Sequence, residues 1–169
     1  CSSDLASGGG IRLAASGGVS AAGGALSLVS YAASISQNAG AGAIANPGGT
    51  IELTAAQAVT LAAGTQVSTA TANGGGAIRI ASGQGASGSV RLAEVLAGSG
   101  AVALIARGGS IEDADGATEG NTPDIVASSV LLQATEDVGG ALGMGGVPST
   151  DAARATNPLE LQVATDRKS

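Results

Sequence analysis

The sequence predicts an all-β chain wound as a right-handed parallel β-helix, and three observations carry that expectation. Very small residues dominate: 36 alanines and 29 glycines make up 65 of 169 residues, while Phe and Trp are absent and Tyr31 is the one aromatic. Short aliphatic-x-aliphatic triplets recur behind Gly, Ser and Ala bends. Those triplets return about every 25 residues.

Composition sets the limits. A core filled by large side chains is not available to this chain, which argues against an ordinary enzyme domain. Disorder is not favoured either, because Ile, Leu and Val still supply 35 residues and only 12% are charged. With 13 acidic against 7 basic residues the net charge is −6. Neither Lys nor Arg clusters, so nucleic acid is not expected as a partner. There is no apolar run long enough for a membrane span. A start at Cys1, without a charged and apolar leader, reads as an internal piece of something longer.

The ends read as foreign. Cys1-Ser2-Ser3-Asp4-Leu5 and Asp166-Arg167-Lys168-Ser169 match translated sequencing-adapter DNA. The expected organisation is therefore a scar at 1–5, a repeat segment at 6–165 and a scar at 166–169. Without the scars the chain has no cysteine and no lysine.

The strands follow in order. The unit appears as Ile11-Arg12-Leu13 after Gly9-Gly10, as Leu26-Ser27-Leu28 after Gly24, and as Ile51-Glu52-Leu53 after Gly49. It returns as Val59-Thr60-Leu61, Ile78-Arg79-Ile80, Val90-Arg91-Leu92, Val102-Ala103-Leu104 and Val130-Leu131-Leu132. Alternation with period two predicts a strand with one face buried. The steps from Leu26 to Ile51, Ile78 and Val102 are 25, 27 and 24 residues, and each such period holds two or three strands. Strands so short are stabilised by stacking on their equivalents one coil away, and the crossover preference gives the hand. Small side chains suit a narrow interior, Gly suits the bends, and outward Thr, Ser, Glu and Arg are expected to solubilise the wall. A Gly/Ala linker would show no register between Gly and aliphatic residues.

Candidate chemistry is sparse. His is absent, which removes Ser-His and Cys-His nucleophiles and the commonest zinc ligands. Glu112, Asp113, Asp115 and Glu119 form the dense acidic group. It reads as a solvated loop at a coil corner; Asp113-Ala114-Asp115-Gly116 also begins like a calcium turn, without the third ligand or the closing spacing. Glu136-Asp137 reads as a turn after a strand. Arg12, Arg79 and Arg91 occupy strand centres, as solubilising positions or, were they to stack, as a ladder suited to acidic glycans. Tyr31 reads as partial cover for the stack. No catalytic, cofactor-binding or metal-binding residue is assigned, and no cofactor.

After Arg107 the sequence resembles the large exoproteins of the filamentous haemagglutinin type. Gly109 to Asp113 matches a G-x-I-x-D turn, Ile125 to Ala134 an I-x-A-x-x-L-x-L-x-A strand pair, Asp137 to Gly139 a D-I-G turn, and Asn157 to Val163 an N-P-L-x-x-x-V segment. The N-terminal coils are more Ala-rich than that pattern, and the export domain is absent. The resemblance implies a structural passenger of a bacterial adhesin, secreted or held at the Gram-negative cell surface by two-partner secretion. Its implied partners are surface glycans or proteins of host cells or bacteria, and an outer-membrane transporter for export. A carbohydrate-active β-helix enzyme and an ice- or surface-binding solenoid are the alternatives; the clustered groove acids or evenly spaced Thr array each requires is not visible.

Overall fold

Strands of two to six residues are too small to stand alone, and the chain solves this by stacking. The computed structural model describes residues 2–83, 88–114, 123–136, 138, 159 and 161–164. Among them every residue in regular structure is in a strand, and no helix is present.

The first coil holds β1 (Ser2–Ser7), β2 (Ile11–Leu13) and β3 (Val19–Ser20). The second holds β4 (Ala25–Ser30), β5 (Ile35–Gln37) and β6 (Ile44–Ala45), and the third β7 (Thr50–Ala55), β8 (Val59–Leu61) and β9 (Gln66–Ser68). The fourth comprises β10 (Ile78–Ser82), β11 (Val90–Leu92) and β12 (Glu94–Leu96). The fifth comprises β13 (Ala101–Ala106), β14 (Ile111–Asp113) and β15 (Ile125–Ala127). A further β16 (Ser129–Ala134) and β17 (Leu161–Val163) lie beyond it.

These strands build three parallel sheets. Sheet A runs β1-β4-β7-β10-β13-β16, sheet B runs β2-β5-β8-β11-β14, and sheet C runs β3-β6-β9-β12-β15-β17. The chain is thus a parallel β-solenoid of about five turns, in agreement with the fold expected from the sequence. Leu26, Ile51, Ile78 and Val102 are direct register partners on successive rungs of sheet A. The 25, 27 and 24 residue steps read from the sequence are therefore true coil lengths. Each coil contains three strands, the third being the short sheet C element. Residues Ser2 to Leu5, read as foreign, form most of β1 and pair with β4 in the register of the later coils.

Inward side chains form continuous columns. Leu28, Leu53, Ile80 and Leu104 stack in sheet A, Ile35, Val59, Val90 and Ile111 in sheet B, and Ile44, Val67, Val95 and Ile125 in sheet C, all fully buried. Burying one such side chain contributes about 1.5–3 kcal/mol. At the outermost rungs cover is lost: the inward Leu5 is 48% exposed.

Two devices close the corners. Between sheets C and A lies a column of Gly24, Gly49, Gly76 and Gly100, two residues before the register partners Leu26, Ile51, Ile78 and Val102. A Cβ on Gly76 would collide with the Gly49 carbonyl oxygen, and one on Gly100 with that of Gly76. Backbone packs on backbone at these rungs, and Gly76 and Gly100 are required by contact. At this corner and at the others, buried polar side chains hold backbone carbonyls. The Ser30 hydroxyl donates to Gly9 O (2.7 Å), Ser82 to Gly88 O (2.8 Å), Thr65 to Ala62 O (2.6 Å) and Thr69 to Gly76 O (2.6 Å). The amides of Gln37 and Asn46 donate to Gly42 O (2.7 Å) and Thr50 O (2.9 Å). Ser and Thr were expected on the outer wall; these are inside, because a sharp bend leaves carbonyls that water cannot reach.

Candidate functional site

The outward positions are the surface this fold offers to anything else. On sheet A, Asp4, Ser27, Glu52, Arg79, Ala103 and Leu131 share one outward column. Arg79 Nη1 lies 2.6 Å from Glu52 Oε1 and 3.3 Å from the Thr54 hydroxyl, which itself donates to Glu52 Oε1 at 3.1 Å. This wall loses its charges toward the far end, where Leu131 is 54% exposed.

On sheet B the outward column is Arg12, Ser36, Thr60, Arg91 and Glu112. The three arginines therefore form no ladder. Arg79 belongs to another sheet, and Ser36 and Thr60 separate Arg12 from Arg91. Arg91 donates to Ala114 O at 3.2 Å and sits beside Glu112 on the next rung. Like charges stacked at rung spacing would repel, and the observed columns intersperse arginine with neutral or acidic residues.

The acidic group divides. Glu112 faces outward and is partly exposed, whereas Asp113 occupies the inward column of Leu61 and Leu92 and is only 4% exposed. It is not part of a solvated loop, because the β14 alternation that turns Glu112 out turns Asp113 in. Asp115 and Glu119 lie outside the described residues, as does Asp137. Glu136 is exposed, with Ser110 Oγ 3.5 Å from its Oε2. Tyr31 is 70% exposed at the turn after β4, so it covers little of the stack.

Two acids missed in the sequence lie at the turn into sheet C. Glu94 accepts from Gln66 Nε2 at 2.9 Å across one coil, and Asp124 is buried on the next rung. No spacing signal marks them, since the turn lengths before β9, β12 and β15 all differ. Among the described residues no three His, Cys, Asp or Glu side chains come together in a way that could hold a metal ion.

The pieces that carried the resemblance are placed as follows. Gly109 to Asp113 is the turn into and the length of β14, and Ile125 to Ala134 is the consecutive pair β15 and β16 with Ser128 between them. Val138 bridges Ile111 in parallel. Asn157 is outside the described residues, while Leu161–Val163 forms the last strand. No protein-family model, no curated protein and no solved structure matches this chain.

Proposed function

We propose that the chain is a structural, non-enzymatic passenger segment of a bacterial adhesin, secreted or displayed on the Gram-negative cell surface. It forms a rigid stalk that presents corner loops for contact with glycans or proteins of host or bacterial surfaces. The observation that carries this reading is the closure of three parallel sheets around stacked aliphatic side chains. Each coil adds roughly 4.8 Å of length, and a stack of this kind resists bending because every rung is hydrogen-bonded to the next. The order of turn and strand pieces after Gly108 adds the link to exported exoproteins, and with it an outer-membrane transporter as the export partner.

The test is adhesion itself. Inert beads coated with the chain are applied to epithelial monolayers and to bacterial lawns, with albumin-coated beads as reference. Saturable retention that the soluble chain competes away supports the reading. Retention at the reference level on every surface overturns the adhesive part, and release of shortened oligosaccharides from added polysaccharide would favour the carbohydrate-active alternative.

A further inference from the structure

Asn38, Asn46 and Asn73 are the asparagines among the described residues, and the fold treats them differently. Asn73 is exposed at the tip of a small hairpin between β9 and β10, closed by an antiparallel bridge between Thr71 and Gly74. The Thr71 amide and hydroxyl both donate to Gly74 O, at 2.6 and 3.0 Å. The return bond, from the Gly74 amide to Thr71 O, is long at 3.3 Å. Gly74 has φ +144, a conformation that favours glycine.

We propose that Asn73-Gly74 is a self-modification site at which the Asn73 side-chain amide is lost as ammonia through a cyclic imide. The Gly74 backbone nitrogen gives up its proton to solvent base and attacks Asn73 Cγ. The N–Cγ bond forms, the Cγ–Nδ2 bond breaks, and the departing nitrogen takes a proton from water and leaves as ammonia. Water then opens the five-membered imide at either carbonyl, giving aspartate, or isoaspartate with the chain running through the former side chain. No oxidant, metal or cofactor enters the balance.

Three features select Asn73. The residue after it has no Cβ to shield the attacking nitrogen, that nitrogen is held by a single long hydrogen bond, and the turn is open to water. Asn38 is followed by Ala39, and with its amide turned so that the oxygen faces Arg12, that oxygen accepts from Nη2 and Nε at 2.8 and 2.9 Å. Asn46 is fully buried, its Nδ2 is held by Gly24 O and Thr50 O, and Pro47 after it has no amide proton to lose. The reaction leaves the coil standing, since Thr69 anchors the inner end of the turn through Gly76 O. It places a new negative charge on an exposed corner, beside Ser99, whose hydroxyl accepts from the Gly75 amide.

The folded 169-residue chain is incubated from mildly acidic to mildly alkaline pH, and residues 38, 46 and 73 are followed by peptide mapping with an isoaspartate-specific assay. Conversion at Asn73 is expected first and rises with pH, Asn38 lags, and Asn46 keeps its amide. Asn73→Gln, whose imide ring would be larger by one atom and closes slowly, abolishes the signal while keeping Gly74. Conversion at Asn73 in urea but not in the folded chain would show that the hairpin locks the nitrogen, and equal rates at Asn38 and Asn73 would show no selection; either overturns the proposal.

Discussion

Sheets A and C share the same interior but are built differently. Sheet A is made of strands of five or six residues, with a glycine one or two residues before each central one, whereas sheet C uses pieces of two or three residues such as β3 and β6. Yet Ile44, Val67, Val95 and Ile125 of sheet C are as completely buried as Leu28, Leu53, Ile80 and Leu104 of sheet A. Strand length and contribution to the core are therefore separate quantities in this fold. What a residue contributes depends on the column it joins, because neighbours above and below complete its packing.

The sharpest way to break that comparison is to empty one position in each sheet. Leu53→Ala and Ile44→Ala remove side chains of equal size from columns of equal burial, and each is expected to cost about 2–5 kcal/mol. The measurement is the shift in urea midpoint at unchanged slope. A loss at Ile44 several times smaller than at Leu53 would show sheet C to be a peripheral strip and the comparison to be mistaken.

The corner joining the two sheets comes next. Gly76→Ala drives a methyl into the Gly49 carbonyl, and because that atom is backbone in a stacked rung it cannot swing aside. Overpacking of this kind costs about 1–3 kcal/mol. Ser128 stands at the equivalent position one coil beyond Gly100, where its amide and hydroxyl both donate to Gly100 O. An unchanged melting temperature for Gly76→Ala would mean that the glycine column is not enforced by contact.

How much of this was legible in the sequence follows from the same contrast. Sheet A announced itself because a glycine followed by aliphatic-x-aliphatic is a pattern, and the backbone contact behind it keeps the glycine in place. Sheet C did not, since two residues such as Val19-Ser20 or Ile44-Ala45 contain no alternation to detect. β5 was passed over for another reason: its second inward residue is Gln37, a polar side chain that looks outward in sequence and is buried to hold Gly42 O. Ser30, Ser82, Thr65 and Thr69 mislead in the same way. Asp113 was read with its acidic neighbours, although the parity of β14 puts it inside. The arginine positions were legible as strand centres, but which sheet each joined was not, because that depends on turn lengths that vary from coil to coil.

Asn46 tests the buried polar device at the end of sheet C. It is fully buried and donates to Gly24 O and Thr50 O, at 3.3 and 2.9 Å. Asn46→Ala removes both bonds from carbonyls at the glycine corner, with an expected cost of about 1–3 kcal/mol. Amide hydrogen exchange should localise the effect: faster exchange at Thr50 and Ile51, with Ile11 and Ile35 on sheet B unchanged. Uniform acceleration over all three sheets would mean that Asn46 supports the whole stack and not one corner.

The smallest effects belong to the outer walls, where sheets A and C both carry a cross-coil polar pair on their central rungs. On sheet A it is Arg79 with Glu52, whose side chains are 37% and 49% exposed. On sheet C it is the neutral amide of Gln66 with Glu94, at 2.9 Å. Water screens both, so Arg79→Ala and Gln66→Ala are each expected to cost no more than about 1 kcal/mol. The two walls should still differ in one respect. Added salt weakens an exposed ion pair through screening, so the deficit of Arg79→Ala relative to the parent chain shrinks as ionic strength rises. That of Gln66→Ala has one charged partner and stays nearly constant. If both deficits respond equally to salt, the Arg79 effect comes from its aliphatic stem and not from its charge, and the outer face of sheet A, like its inner face, is held by packing.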